Sequence, residues 1–172
     1  MSIAVSRSIS EKLYALIESD SDKELGGLFA SENAGGNWTR VSTDQRLEQR
    51  AWYYIEMFID PKSENTVYVL SAPALRTEDG GKTWETLSGT HGDYHDLWIN
   101  PQNPKNMIIS NDGGSAISVN YGKTWSPQNN MPTAQMYRIN VDNQFPYRIY
   151  GGQQDNTSLA IASRELGGYG IT

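Results

Sequence analysis

The octapeptide Thr77–Trp84, "TEDGGKTW", decides the fold, because it recurs. Ser31–Trp38 reads "SENAGGNW" and Ser118–Trp125 reads "SVNYGKTW". All three share one frame: Ser/Thr, any, Asp/Asn, any, Gly, any, any, Trp. The hydroxyls of Ser31, Thr77 and Ser118 and the side chains of Asn33, Asp79 and Asn120 suit a tight turn, where they accept hydrogen bonds from backbone N–H groups. Gly35, Gly81 and Gly122 supply a positive φ at no steric cost. Trp38, Trp84 and Trp125 begin the next strand and fold into the core of their repeat. A poorer fourth copy begins at Ser163, "SRELGGYG", so the starts lie 46, 41 and 45 residues apart.

A second landmark keeps the same phase: "IDPKSENTVYVL" from Ile59, "INPQNPKNMIIS" from Ile99, "VDNQFPYRIYGG" from Val141 and, more loosely, "IAVSRSISEKLYALI" from Ile3. A period of this size, with four short strands A to D per unit, predicts an all-β chain of four-stranded antiparallel propeller blades. The blades fall roughly at 1–46, 47–90, 91–131 and 132–172 of a single partial β-propeller domain. In the second blade A is expected at Trp52–Ile59, with Trp52–Tyr54 packing between blades on that inner strand or serving as a sugar-stacking platform. In the third, A is Tyr94–Ile99 and D is Thr124–Ser126. The chain starts inside a strand A and stops without a last strand D. The expectation is an incomplete arc of about four blades from a larger ring, with open edges that further blades of a longer parent or another chain would cover.

Antiparallel strands put alternate loops on opposite faces. The A–B loops and the octapeptides therefore share a bottom face, and the B–C and D–A loops share a top face. The top loops carry Arg46, Arg50, His91, Asp93, His95, Asp96, Asn111, Asp112, Gln153, Gln154, Asp155 and Asn156. Convergent polar groups at a channel mouth make this face the default ligand site.

"HGDYHD", His91–Asp96, holds both histidines of the chain. Read as an extended strand, it points His91, Asp93 and His95 one way and Asp96 the other. Two imidazoles and a carboxylate form an adequate set for zinc or another divalent metal. The same residues equally suit a hydrogen-bonded hub between blades, the preferred reading, or direct ligand contact without metal. No cofactor is otherwise implied. Glycoside hydrolysis would need two carboxylates across a cleft, and the candidates are Asp93, Asp96, Asp112, Asp155 and Glu56. Sialidase chemistry is disfavoured, since beyond Arg46 and Arg50 no third top-face arginine presents itself.

A net charge of −6 and a pI near 4.9 exclude a generally basic nucleic-acid or anionic-membrane surface. With no cysteine there is neither disulfide nor thiolate-bound zinc. No apolar run approaches membrane-spanning length, and "MSIAVSRSIS" is too short and polar for a signal peptide.

The octapeptides resemble the Asp-box, or BNR repeat, of sialidases, xyloglucan-active hydrolases and sortilin-type propellers. The resemblance implies that the repeat is structural, with Asp79 a turn residue rather than a catalyst. Over nearly the whole chain, "QRAWYY", "HGDYHDLWINPQNP", "NDGG", "GKTW" and "QNNMPTAQMYRINVDNQFPYRIYGGQQDN" resemble large bacterial sortilin-like BNR-repeat proteins, exported and of unknown activity. The resemblance implies an extracellular or periplasmic binding or scaffold module that recognises peptide or glycan at the top face. The alternative is a fragment of a glycoside hydrolase. It supplies no catalytic residue to carry over.

Overall fold

The computed structural model describes residues 1–22, 25–129 and 134–164. Two compact units divide the chain, Met1–Asn129 and Asn130–Thr172. Every described sheet is antiparallel, with strands neighbouring one another in sequence order.

The first unit contains three sheets. β1 (Ser2–Val5), β2 (Leu13–Ile17), β3 (Gly27–Ser31) and β4 (Thr39–Ser42) make the first. β5 (Glu56–Ile59), β6 (Val67–Leu70), β7 (Leu75–Thr77) and β8 (Glu85–Thr86) make the second. The third has β9 (Tyr94–Ile99), β10 (Met107–Asn111) and β11 (Gly114–Ser118). Its expected D strand at Thr124–Ser126 reduces to one point of pairing, where Ser126 N–H donates to the Ile117 carbonyl and Ile117 N–H to Ser126 Oγ. In the second unit β12 (Met136–Val141), β13 (Arg148–Gln153) and β14 (Ser158–Ala162) form a three-stranded sheet.

Side chains alternate across a strand, and β6 shows the result. Val67 and Val69 join Leu16, Leu28, Met57 and Leu75 in one core, whereas Tyr68 and Leu70 join Leu87, Leu97, Met107 and Ile109 in another. The second sheet is thus covered on both faces, which is why "VYVL" reads as an unbroken apolar run. Each fully buried leucine contributes on the order of 1.5–3 kcal/mol of transfer free energy.

The octapeptides are near-superimposable networks. Gly35, Gly81 and Gly122 N–H groups donate to Ser31, Thr77 and Ser118 hydroxyls at 2.9, 3.0 and 2.9 Å. Those hydroxyls donate in turn to Asn33, Asp79 and Asn120 side-chain oxygens. The same oxygens accept the N–H of Asn37, Thr83 and Thr124. Two consecutive residues take positive φ, not one: Ala34 and Gly35, Gly80 and Gly81, Tyr121 and Gly122. The first of each pair donates its N–H to an A–B loop carbonyl, of Glu11, Asn65 and Lys105 respectively. This bond places both loop types on one face, as the strand alternation requires. The tryptophans depart from the expectation. Trp84 lies at the seam between the first and second sheets, with Nε1 on the Gly81 carbonyl and on Ser42 Oγ of β4. Trp125 packs against the second core, beside Leu87, while Trp38 is exposed.

The fourth copy at Ser163 is out of register. Ser31, Thr77 and Ser118 stand directly opposite Leu13, Val67 and Met107, the residues that pair with the last residue of each strand A. In the fourth sheet that place, opposite Ile149, belongs to Ile161. Ser163 falls two residues later and donates its N–H to the Tyr147 carbonyl. The remainder of that copy lies outside the described residues.

Thr83 donates to Asp79 from both hydroxyl and N–H, and these bonds, with those from Thr77 and Lys82, hold the Asp79 carboxyl well below the usual carboxylate range. A depressed folded pKa adds stability above the unfolded value near 4, and that stability is lost as pH falls further. Asp79→Asn, the amide already used at Asn33 and Asn120, is therefore expected to match the parent at pH 7. It should also show a shallower loss of melting temperature between about pH 4 and 2. Asp79→Ala should cost only about 1 kcal/mol at pH 7, because the carboxylate is solvent-screened. Parallel melts across that pH range decide it, and superimposable acid profiles would remove the linkage.

Candidate functional site

The top face of the first unit gathers residues from three connections. After β4 the chain makes a single 3-10 turn, Gln45–Glu48, whose N-terminal N–H (Arg46) is accepted by Asp44. A further turn follows, so Trp52–Tyr54 precede the strand instead of lying in it. This corrects the expected inter-blade packing: Trp52 and Tyr53 are 74% and 65% exposed. Arg50, from this connection, pairs with Asp93, from the connection into β9, at 2.6 Å. Arg46 pairs with its neighbour Asp44.

"HGDYHD" is not a simple extended strand. Asp93 has φ of 55°, and β9 begins only at Tyr94. Tyr94 pairs with Asn111 and Asp96 with Ser110, leaving His95 as the extra residue of a bulge. Strict alternation therefore fails, and His95 and Asp96 are both exposed. Bulges of this kind re-aim side chains. Here His95 Nε2 meets Asp112 Oδ1 at 2.6 Å, in the turn between β10 and β11. The Tyr54 ring lies over His95 with centroids 4.7 Å apart. Burial pushes the Tyr54 phenol up, and the neighbouring Arg50 guanidinium opposes that rise. The hydroxyl itself is buried without a hydrogen bond of good geometry.

His91 belongs to a second network. Its N–H donates to Gln128 Oε1, Gln128 Nε2 donates to Asn111 Oδ1, and Gly113 N–H donates to the same oxygen. His91 lies so close to Gly113 that a Cβ there would sit 2.4 Å from its own Cβ. Gln128 carries no local sequence signal of this role; only the fold brings it to Asn111.

The three candidate metal ligands thus face different partners: His91 Nδ1 the Gly92 carbonyl, Asp93 the Arg50 guanidinium, and His95 the Asp112 carboxylate. Among the described residues no three ligating side chains converge. Asp96 accepts the N–H of Leu97, and Glu56 is an exposed residue of β5. Gln153 ends β13 in the second unit, and Gln154, Asp155 and Asn156 lie in the turn from it to β14, where Asp155 has φ of 52°. Within the first unit the structure brings Arg50 to Asp93 and His95 to Asp112, and keeps His91 and Asn111 beneath them as a separate hydrogen-bonded support.

A groove of about 580 Å³ adjoins on the first sheet. It is lined by Glu18, Ser19 and Asp20 from the β2–β3 loop, by Gln45, Arg46, Glu48 and Gln49, and by Trp52. Sequence reading passed over its carboxylates because they are distant in sequence and carry no motif.

No protein-family model and no curated protein matches the chain. Solved structures do. A GH74 enzyme from Niastella koreensis superposes with a TM-score of 0.54 at 16% identity, over 88% of this chain and 21% of that one. YCF48 from Cyanidioschyzon merolae gives 0.52 at 16% identity, over 100% and 55%. The GH74 xyloglucanase from Xanthomonas campestris gives 0.51 at 17% identity, over 95% and 30%. This chain therefore spans between 21% and 55% of the length of these proteins. At such identities the likeness shows the fold, and the repeated antiparallel sheets are blades of a β-propeller.

Proposed function

We propose that this chain is the ligand-binding part of an exported, sortilin-like BNR-repeat propeller, and that its top face recognises a peptide or a glycan. One observation carries the reading. Arg50–Asp93 is an ion pair and His95–Asp112 a hydrogen-bonded contact, built from three separate chain segments and each partly exposed, with Tyr54 beside both. Polar side chains held this way present fixed donors and acceptors to a ligand while remaining satisfied without it. Glycoside hydrolysis by the same carboxylates has less support, because Asp93, Asp96 and Asp112 each already hold a partner.

The test is a screen of glycans and peptides against the protein, followed by variants. Arg50→Ala and His95→Ala should each weaken the best ligand about ten-fold or more, and chelator should leave affinity unchanged. Unaltered binding by both variants would sink the reading. One tightly held zinc, removed together with binding, would replace the hub with a metal site.

Partner blades, from a longer parent or a second chain, fit the outer face of the first sheet. Ile3 and Val5 are exposed there while Ala4 packs inward. Sedimentation velocity should show concentration-dependent association; a strictly monodisperse monomer would contradict this.

A further inference from the structure

We infer that the groove beside Trp52 is a subsite for a cationic side chain, the lysine or arginine of a bound peptide. The inference rests on the reading of the top face as a ligand surface and extends it to ligand class.

The groove is concave and its volume is within the range of small-ligand sites. The charges of its described residues do not balance. Glu18, Asp20 and Glu48 line it, and among the described residues the one lining cation, Arg46, is held by Asp44 through three side-chain hydrogen bonds, at 3.0, 3.1 and 2.6 Å. Among the described residues no cation pairs with Glu18, Asp20 or Glu48. Glu48 packs its carboxylate against Gly26, with an oxygen 2.7 Å from where a Cβ would stand, a position only a glycine at 26 allows. Burial first, then the charge of Glu18, raises its pKa above the ordinary glutamate value. Like charges on neighbouring carboxylates of one groove are relieved by a bound cation, and a neutral ligand leaves the repulsion intact. Trp52 offers an exposed indole face on the same groove. An indole face attracts a lysine or arginine cation, an attraction that strengthens as the cation loses water. Carboxylates and an indole together select a cation over an anion, and favour it over a sugar.

Acetylated pentalysine amide, pentaglutamate and cellotetraose are titrated into the intact chain at 0.05 and 0.3 M salt. Pentalysine alone should bind, and more weakly at the higher salt. Trp52→Ala should weaken it about three- to ten-fold, and Glu18→Gln with Glu48→Gln by about ten-fold. Glu11→Gln, in a bottom-face loop, should change nothing. Equal loss with Glu11→Gln would reveal general attraction to an acidic protein and overturn the subsite. So would Trp52-dependent binding of cellotetraose in place of pentalysine, or its cleavage by a Glu48-dependent reaction. Failure here is separable from failure of the binding reading. If groove variants leave a screened ligand untouched while Arg50→Ala and His95→Ala release it, the subsite falls and the top-face site stands.

Discussion

Leu28→Ala is expected to destabilise the Met1–Asn129 unit by about 3–4 kcal/mol, with a melting temperature lower by roughly 10 °C. Leu28 is fully buried on β3, among Leu16, Val67, Val69 and Leu75. It also supports the second octapeptide, since a Cβ on Gly81 would lie 2.9 Å from Leu28 Cδ2. Truncation therefore opens a cavity at the seam of two sheets and removes the surface on which Gly81 and Trp84 rest. Relaxation is restricted because the octapeptide is fixed by its own hydrogen bonds. Ile117→Ala is the control: Ile117 is 55% exposed and should cost within about 0.5 kcal/mol. Urea denaturation of both variants compares them, and equal midpoints would refute a core running between the sheets.

Arg76→Ala should cost about 2–3 kcal/mol. Arg76 lies opposite Tyr68 and is only 4% exposed. Its Nη1 donates to the Tyr121 carbonyl at 2.7 Å, and its Nη2 meets Glu78 and Glu85 at 2.8 and 2.6 Å. The two glutamates are solvent-exposed and lose little without it. The carbonyl belongs to the third octapeptide, so the guanidinium tethers the second sheet to the turn of the third. Arg76→Met restores packing volume and should recover about half the loss. Recovery of the whole by Met would show that packing, and not the tether, is what matters.

The fold was legible because the chain states it three times. "SENAGGNW", "TEDGGKTW" and "SVNYGKTW" need the same hydrogen bonds and the same positive φ, so their spacing reports blades directly. The fourth copy misled because composition was matched without register, and Ile161 occupies the place assigned to Ser163. The site was legible only by face. Loop alternation puts Arg50, Asp93, His95 and Asp112 on one face, where Arg50 meets Asp93 and His95 meets Asp112. It could not foresee the bulge at His95, which depends on how β9 pairs with β10. Nor could it find Glu18, Glu48 and Gln128, whose roles arise from neighbours far along the chain. Trp52 lies outside the strand that the sequence predicts around it, because "AWYYIEMFI" carries no turn residue to mark where β5 begins.

The A–B loops 6–12, 60–66 and 100–106 are each seven residues long, and 142–147 is six. Each opens with a side chain, Ser6, Asp60, Asn100 or Asp142, that accepts backbone N–H groups of its own loop. The B–C loops 18–26, 71–74, 112–113 and 154–157 obey no common length. Mutational drift is thereby partitioned by geometry. A residue added below strains a closed ring of hydrogen bonds, whereas residues added at 18–22 above meet water and cost little beyond loop entropy. Diversification of such repeats is confined to one side, and library construction would follow the same asymmetry: randomised or lengthened segments belong at 18–22, with 60–66 and 100–106 kept invariant as the frame and Ser71 and Ala74, both fully buried, left unchanged.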